Sequence, residues 1–336
     1  MIIEQPYVLF LGDVPDQLAA KTAMGIVDWR REQCIGQVRL EGCEADTGLD
    51  DIDFAEAVRR GAKTCVIGVV NAGGVLPEHW ISSLVEAIDA GLNLASGLHK
   101  KLEETAEIRD AAQSKGVKLH NVRHGEQTFP TGKGHKRTGK RILTVGTDCS
   151  IGKKYTALAL DRDMRAVGMK SDFCATGQTG IFISGRGVSI DAVVADFISG
   201  AVETISPGHE EDKWDCVEGQ GSLFHPSFAG VSMGLLHGSQ PDAFVICHEP
   251  TRTKMRGVET PLPTIQQVID MTIACGRLTN PDIRPVGISV NTSALNEDEA
   301  MAYLAKLETE YGLPTVDSVR TGTHRIVQNI RDIYGM

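Results

Sequence analysis

Residues 146–154, GTDCSIGKK, set two glycines and two adjacent lysines within nine positions. Those residue types at that spacing suit the gripping of phosphate. Gly146 and Gly152 let the backbone turn tightly and approach an anion. The N–H groups of Thr147, Asp148, Cys149, Ser150 and Ile151, with those opening a helix at Lys153, Lys154 and Tyr155, would converge on one spot. The helix dipole adds partial positive charge there, and Lys153 adds a point charge. The common pattern is G-x-x-x-x-G-K followed by Ser or Thr, whose hydroxyl holds Mg²⁺. Here five residues separate the glycines and Lys154 stands at the hydroxyl position. A lysine has donors only and cannot ligate a cation. Thr156, two positions on, would point around the helix. The pattern predicts a phosphate bound as an inert handle, with Lys153 and Lys154 suited to a diphosphate and no metal required. Coenzyme A and its thioesters fit that description. The bland alternative is a glycine turn that only lets strand and helix pack.

Two segments resemble a known pair of loops. GTDCSIGKK resembles the GTD-x-x-x-GKT loop of dethiobiotin synthetase, and WDCVEGQGSL (214–223) resembles the VEGAGG segment that follows that enzyme's acid-bearing strand. Across the whole chain, NAGGVLPEHW, GLHKKL, ATGQTGI, VVADFISGAVE, VEGQGSLFHPSF and GLLHGSQPDAFVICHEPTR resemble a two-domain bacterial family first described as a domain of unknown function. Its N-terminal half is Rossmann-like and its C-terminal half a P-loop domain. The resemblance implies an N-acetyltransferase of D-amino acid breakdown, with acetyl-CoA as donor and a D-amino acid, D-glutamate, as acceptor. Neither donor nor acceptor is read from spacing.

Acetylating an amine needs a base for the ammonium, donors for the oxyanion and a proton or positive charge for the departing thiolate. Glu218 sits where a strand ends over the phosphate loop, the place where parallel sheets put their sites. It is the candidate base or ammonium anchor; its bland reading is a carboxylate bonded to turn amides. Asp196 and His225 are the other candidate acid–base groups. Asp191 and Asp196, five apart, need not share a helical face. Gly219 and Gly221 could offer N–H donors to the oxyanion. Arg186 and Arg252 are candidates for the acceptor's carboxylates, since arginine fits them bidentately; solvated surface arginines are the rival. Thr176, Gln178 and Thr179 lie in a strand-end loop that could orient substrate. Lys133, Lys136 and Arg137 could reach the 3′-phosphate of coenzyme A or be solvated. NAGG (71–74) closes a strand with a turn that could accept an adenine or a substrate tail.

These groups require a frame. YVLFLG (7–12), TCVIGVV (64–70), LNLAS (92–96) and VKLHNV (117–122) read as buried strands, with helices over 53–62, 77–91 and 99–116, each ending at glycine or just before it. Strand–helix alternation means a parallel sheet covered on both faces. Residues 1–123 thus read as a Rossmann-like domain, although no G-x-G-x-x-G follows the first strand. Residues 124–140, rich in Gly and Lys, read as a linker or long loop. Residues 141–336 read as a P-loop NTPase-like α/β domain, with strands over 141–146, 171–177, 214–219, 242–248 and 285–291 and helices over 152–168 and 263–276.

The totals agree. At 336 residues with 41% apolar content, the chain can bury about two domain cores. A net charge of −10 argues against a nucleic-acid partner. The eight cysteines form no CxxC pair, which fits a reducing, cytoplasmic setting better than a disulfide framework or zinc site. No stretch at the N-terminus is long enough to span a membrane. A homo-oligomer is expected. Two other function classes stay open at this point. One is an ATP- and Mg²⁺-dependent ligase or kinase of the dethiobiotin synthetase type. The other is a non-catalytic module that binds coenzyme A or a nucleotide.

Overall fold

Tyr7–Gly12 is buried at all six positions, as a strand covered on both faces must be. In the computed structural model, which describes residues 2–17, 19–69, 75–124 and 128–336, it is the first of eleven named strands. The first half runs β1 (Tyr7–Gly12), α1 (Lys21–Arg30), β2 (Cys34–Arg39), α2 (Phe54–Arg59), β3 (Thr64–Ile67), α3 (Ile81–Asp89), β4 (Asn93–Ser96), α4 (Ala106–Lys115) and β5 (Leu119–Asn121). Its strands pair in parallel in the order β2-β1-β3-β4-β5. Sequence patterning passed over β2 and α1. CIGQVR is half-buried at an edge and interrupted by Gly36, whose missing Cβ would fall 2.5 Å from Ile52. Helix α1 has no side-chain cap and a glycine mid-course. The helix expected over 99–116 occupies only 106–115 and stops at Gly116, left-handed at φ 69°. The NAGG turn at 71–74 lies outside the described residues.

The second half runs β6 (Lys140–Gly146), α5 (Lys153–Ala166), β7 (Ser171–Cys174), α6 (Gln178–Ser184), α7 (Ile198–Ile205), β8 (Trp214–Val217), α8 (Ala229–Ser239), β9 (Ala243–His248), α9 (Ile265–Gly276), β10 (Arg284–Val290), α10 (Glu297–Tyr311), β11 (Thr315–Val316) and α11 (His324–Tyr334). Its sheet is again parallel, ordered β11-β10-β9-β6-β8-β7. Strand β6 therefore lies between β8 and β9, and the loops leaving those three strands are neighbours. One face is covered by α5 and α11, where Leu160, Met164, Ile326, Val327 and Ile330 pack on Ile142, Trp214, Cys216 and Val245. Tyr334 meets Trp214 edge-on with ring centroids 5.0 Å apart.

The chain divides into two compact units: Met1–Gln127 with Gln178–Ala192, and Thr128–Gly177 with Val193–Met336. This departs from the sequence expectation of a clean break near 124–140. Residues 178–192 leave the P-loop half and join the first unit. Ile181, Phe182 and Ile183 are buried, and Ile3 donates its N–H to Gly185 O at 2.7 Å. The described part of the expected linker is also no free tether. The N–H of Lys133 and that of Gly134 donate to Glu203, and Arg137 donates to Ser206 O, Gly238 O and Gln240 Oε1. Lys136 pairs with Asp242 at 3.1 Å. These contacts lie at the amino end of β6, about 20 Å of strand from its carboxyl end. Lys136 and Arg137 are thus placed away from the phosphate loop, contrary to the expectation that they reach a cofactor phosphate. Among the described residues no helix is long and apolar enough to cross a membrane.

Candidate functional site

The phosphate loop forms where the pattern places it, between β6 and α5. Gly152 opens α5 at φ 106°, and Ser150 is also left-handed at φ 54°. Gly146 is needed for a different reason: a Cβ there would lie 2.9 Å from Cys247 O and 2.6 Å from Ile151. Thr147 N donates to Cys247 O at 3.1 Å, tying the loop to β9.

Asp148 is the buried centre of the loop. Its Oδ1 accepts from Cys149 N at 2.7 Å, and its Oδ2 accepts from Arg252 Nη1 at 2.7 Å and Arg256 N at 2.8 Å. Burial acts to raise its pKa, but Arg252 and the two N–H donors outweigh it and hold the carboxyl below its usual range. Arg252 continues around the loop, donating to Cys149 O at 2.8 Å and Ser150 O at 3.0 Å and pairing with Glu249 at 3.1 Å. The guanidinium that the sequence offered to a substrate carboxylate is thus occupied as a brace for the phosphate loop. Neither Arg256 nor Glu249 was singled out from the sequence. They lie about a hundred residues from the loop, and only the β6–β9 pairing brings them to it.

The two lysines behave differently. Lys153 is buried and donates from Nζ to Asp148 O at 2.6 Å, with burial pushing its pKa down. Lys154 is half-buried, its Nζ 4.4 Å from the centre of the Tyr155 ring, and its positive field reaches Glu218. Thr156 faces the interior, bonding Gly152 O at 3.1 Å and Ser289 Oγ at 2.8 Å, so it does not replace the missing hydroxyl.

Glu218 directly follows β8 and is 3% exposed. Its Oε2 accepts from Thr176 N at 3.0 Å and Gly177 N at 3.1 Å, while Thr176 Oγ1 donates to Glu218 O at 2.6 Å. Burial raises its pKa, and Lys154, these two N–H groups and Lys153 offset only part of that rise. A buried carboxylate with elevated proton affinity, facing a cation at a strand end, has the features of a functional acid–base group. Thr176 is committed to positioning it. Gly219 must be glycine, because a Cβ would fall 1.6 Å from Thr144 O. Its N–H donates to Thr144 Oγ1 at 2.9 Å. Of the two glycines expected to supply oxyanion donors, Gly219 is therefore already bonded within the protein.

His225 is buried. Its Nε2 lies 3.0 Å from Arg256 O, and its Nδ1 accepts from Ser227 N at 3.2 Å. A carbonyl only accepts, so Nε2 carries the hydrogen and both ring nitrogens are engaged. This favours a structural role over the acid–base role expected of it. Ligand atoms of Asp148, Cys149 and His225 lie within 4.8 Å of one another, a grouping that could hold a metal ion. The carboxylate there is already bound by Arg252, and the imidazole by backbone groups, so a cation would have to displace them. Asp196 is exposed in the short turn Ala195–Phe197, and no described bond links it to Glu218 or the loop.

The remaining candidates belong to the first unit. With its side-chain amide turned so that the nitrogen faces Gly97 O, Gln178 donates to that carbonyl and accepts from Arg123 Nε, each at 2.9 Å. Thr179 is half-buried in α6, Asp191 accepts from Ser189 Oγ at 2.7 Å, and Arg186 is exposed and bridges backbone to Ile2. A pair that the sequence reading did not assemble is His248 with Tyr303: the ring bonds Thr147 Oγ1 and Tyr303 Oη, both at 3.1 Å, and burial lowers its pKa.

A central strand, a glycine loop with a buried lysine and an acid on the adjacent strand define a P-loop α/β protein, here joined to a Rossmann-like unit. Family comparison agrees: residues 128–327 match the DUF1611_C P-loop domain and residues 38–125 the DUF1611_N Rossmann-like domain, both described as domains of unknown function. The chain belongs to the DUF1611 family. It is 51% identical over 331 residues to a D-glutamate N-acetyltransferase of Pseudoalteromonas sp, covering 98% of this chain and 100% of that protein. It is also 51% identical over 327 residues to a D-glutamate N-acetyltransferase of Tritonibacter scottomollicae, covering 97% and 98%. The crystal structure of a DUF1611 family protein from Anabaena variabilis superposes with a TM-score of 0.83 at 28% identity, covering 98% of this chain and all of that one.

Proposed function

We propose that this protein is an N-acetyltransferase that moves an acetyl group from acetyl-CoA to the amine of D-glutamate. The observation that carries the reading is 51% identity, end to end, with two proteins of that name. The geometry supplies a compatible chemistry. The phosphate loop and Lys153 grip the diphosphate of the donor, and Lys154 provides the positive charge that a metal supplies in NTP-using loops. Phosphoryl transfer is not required, because the phosphates do not react.

In this scheme Glu218 accepts a proton from the substrate ammonium at Oε1, its Oε2 being held by Thr176 and Gly177. The freed amine attacks the thioester carbonyl, the C–N bond forms and the C–S bond breaks. Coenzyme A leaves as a thiolate and takes up the proton that the nitrogen loses as it becomes an amide. Burial raises the proton affinity of Glu218 and so makes it a stronger base than an ordinary glutamate. A cytoplasmic setting belongs to the same proposal, supported by eight free cysteines among the described residues.

The test mixes protein, acetyl-CoA and a panel of D- and L-amino acids without added metal and follows free thiol. Thiol release with D-glutamate above all other acceptors is expected. Turnover of ATP with Mg²⁺, and none of acetyl-CoA, would instead indicate a ligase or kinase.

A further inference from the structure

Gly177, between β7 and α6, has no side chain, and two polar groups border the space it leaves. A Cβ there would lie 2.6 Å from Gln220 Nε2 and 3.2 Å from Glu218 Oε1. That Glu218 oxygen is the one left over, since Oε2 takes the N–H groups of Thr176 and Gly177. Gln220 is held at both ends. Its backbone carbonyl accepts from Ser232 Oγ at 2.8 Å, and its Nε2 donates to Thr176 Oγ1 at 3.2 Å. The single hydrogen of Thr176 Oγ1 goes to Glu218 O at 2.6 Å. The hydroxyl can therefore only accept from Gln220, and this fixes the amide with its nitrogen toward Thr176. An amide nitrogen carries two hydrogens. The second has no acceptor among the described residues, and Gln220 is half-buried where Glu218 is buried.

Resting on the acetyltransferase reading, we propose that Gln220 Nε2 is the oxyanion donor of the reaction. Attack by nitrogen on the thioester puts the new C–N bond and the developing oxyanion on one carbon. Base and donor must then border one point, as Glu218 Oε1 and Gln220 Nε2 do beside Gly177. As the C–N bond forms, the carbonyl π pair moves to oxygen, and the second N–H of Gln220 donates to it without giving up its proton. When the pair returns, the C–S bond breaks, and the thiolate takes up the proton that the nitrogen loses. Side-chain amides are among the groups that serve this purpose in acyl transfer. The neighbouring Gly219 N–H is committed to Thr144 Oγ1 at 2.9 Å, so it does not compete for the role. Glycine at 177 keeps the amide and the carboxylate oxygen within reach of the same carbon.

The experiment measures kcat and KM by thiol release from acetyl-CoA, with D-glutamate as acceptor, in the parent, Gln220→Met and Gly177→Ala. Methionine is similar in length to glutamine and has no donor. Removing one oxyanion donor costs roughly 10²–10³ in kcat. Gln220→Met is expected to lose that much while both KM values stay near the parent's, because the bond is made in the transition state. The rising pH limb assigned to Glu218 should keep its place; a limb displaced or lost would show that Gln220 only positions the base, and would overturn the assignment. In Gly177→Ala the new Cβ meets the ends of the Gln220 and Glu218 side chains rather than backbone. That variant should melt near the parent and, with its amide pushed aside, lose about tenfold or more in kcat. Thermal melting of each variant separates loss of fold from loss of the donor. Parental kcat in either folded variant overturns the proposal and leaves the acetyltransferase reading standing. A parent enzyme that releases no thiol with any amino acid removes that reading, and the donor role with it.

Discussion

At the amino end of the six-stranded sheet, Arg141 is fully buried and surrounded by acceptors. It donates to Ser206 Oγ and Pro207 O, both at 2.8 Å, and to Thr138 O at 3.1 Å. Asp215 accepts from Ser206 Oγ at 2.6 Å, and Asp242 accepts from Arg141 N at 2.9 Å and from Lys136 at 3.1 Å. At the carboxyl end of the same sheet, Glu218 is equally buried but has only two N–H donors on one oxygen, and its proton affinity is raised. Lys153 beside it is held by one carbonyl, and its proton affinity is lowered. Both ends bury charge. One surrounds it with partners and so fastens a segment, residues 128–140, to the sheet. Burial lowers the proton affinity of Arg141 and Lys136 as it does that of Lys153, but the carboxyl end gives Glu218 and Lys153 fewer partners among the described residues, and a ligand can complete them. Local pairing, not burial, separates the structural end from the reactive one.

The sharpest way to break this comparison is Glu218→Gln. The amide keeps an oxygen for the Thr176 and Gly177 N–H groups but cannot take a proton. We expect thiol release to fall about a thousandfold, within the range typical of a lost general base, in a protein that melts no lower than the parent. Arg141→Ala tests the opposite end. Removing one partner from a buried charge network costs about 3–5 kcal/mol. Denaturant unfolding should show that loss, while the KM for acetyl-CoA of the remaining folded enzyme stays unchanged.

Charge reversal at the loop comes next. Lys153→Glu with Lys154→Glu should weaken acetyl-CoA binding about a hundredfold, or about 2.7 kcal/mol, as measured by calorimetry. Unaltered affinity would end the idea that the loop grips phosphate. Arg252→Ala sharpens the assignment of a residue that could have bound substrate. As a brace of the loop, its loss should raise the KM for acetyl-CoA about tenfold, near the value of one charge-assisted hydrogen bond, and leave the KM for D-glutamate alone. A raised D-glutamate KM would return it to the substrate.

The smallest expected effect is in pH dependence. Because burial raises the Glu218 pKa, kcat/KM should climb with pH through a limb lying above the ordinary glutamate value of about 4.3. The stability sign follows from the same shift. The neutral buried carboxyl favours the fold, fully so below the unfolded value, and this contribution is lost as pH rises through the raised folded value. The melting advantage of Glu218→Gln over the parent should therefore grow with pH.

Local signals carried far in this chain and then stopped. The phosphate loop and Glu218 were legible because strand, turn and helix are consecutive in sequence, and glycine marks the positions where backbone must pass close to backbone. Strand β2 was not legible, since an edge strand with half-buried residues carries no continuous apolar run. The intramolecular partners of Arg252 and His225 were not legible for a related reason. Residue type says that a guanidinium can bind a carboxylate, but it does not say which one. Here Asp148 of the protein's own loop takes it, from a distance of 104 residues.

The sequence by itself determined two α/β units with parallel sheets, the place of the phosphate loop, the absence of a metal-holding hydroxyl at position 154 and the candidacy of Glu218. All of these follow from periodicity and from chemistry local to a few residues. The tertiary structure alone decided that residues 178–192 join the first unit, that Arg252 and Arg256 close around Asp148, and that Thr272 is buried with its hydroxyl unpartnered among the described residues. Each of those depends on which strands lie side by side, and strand order is set by burial of the whole sheet rather than by any short stretch of chain.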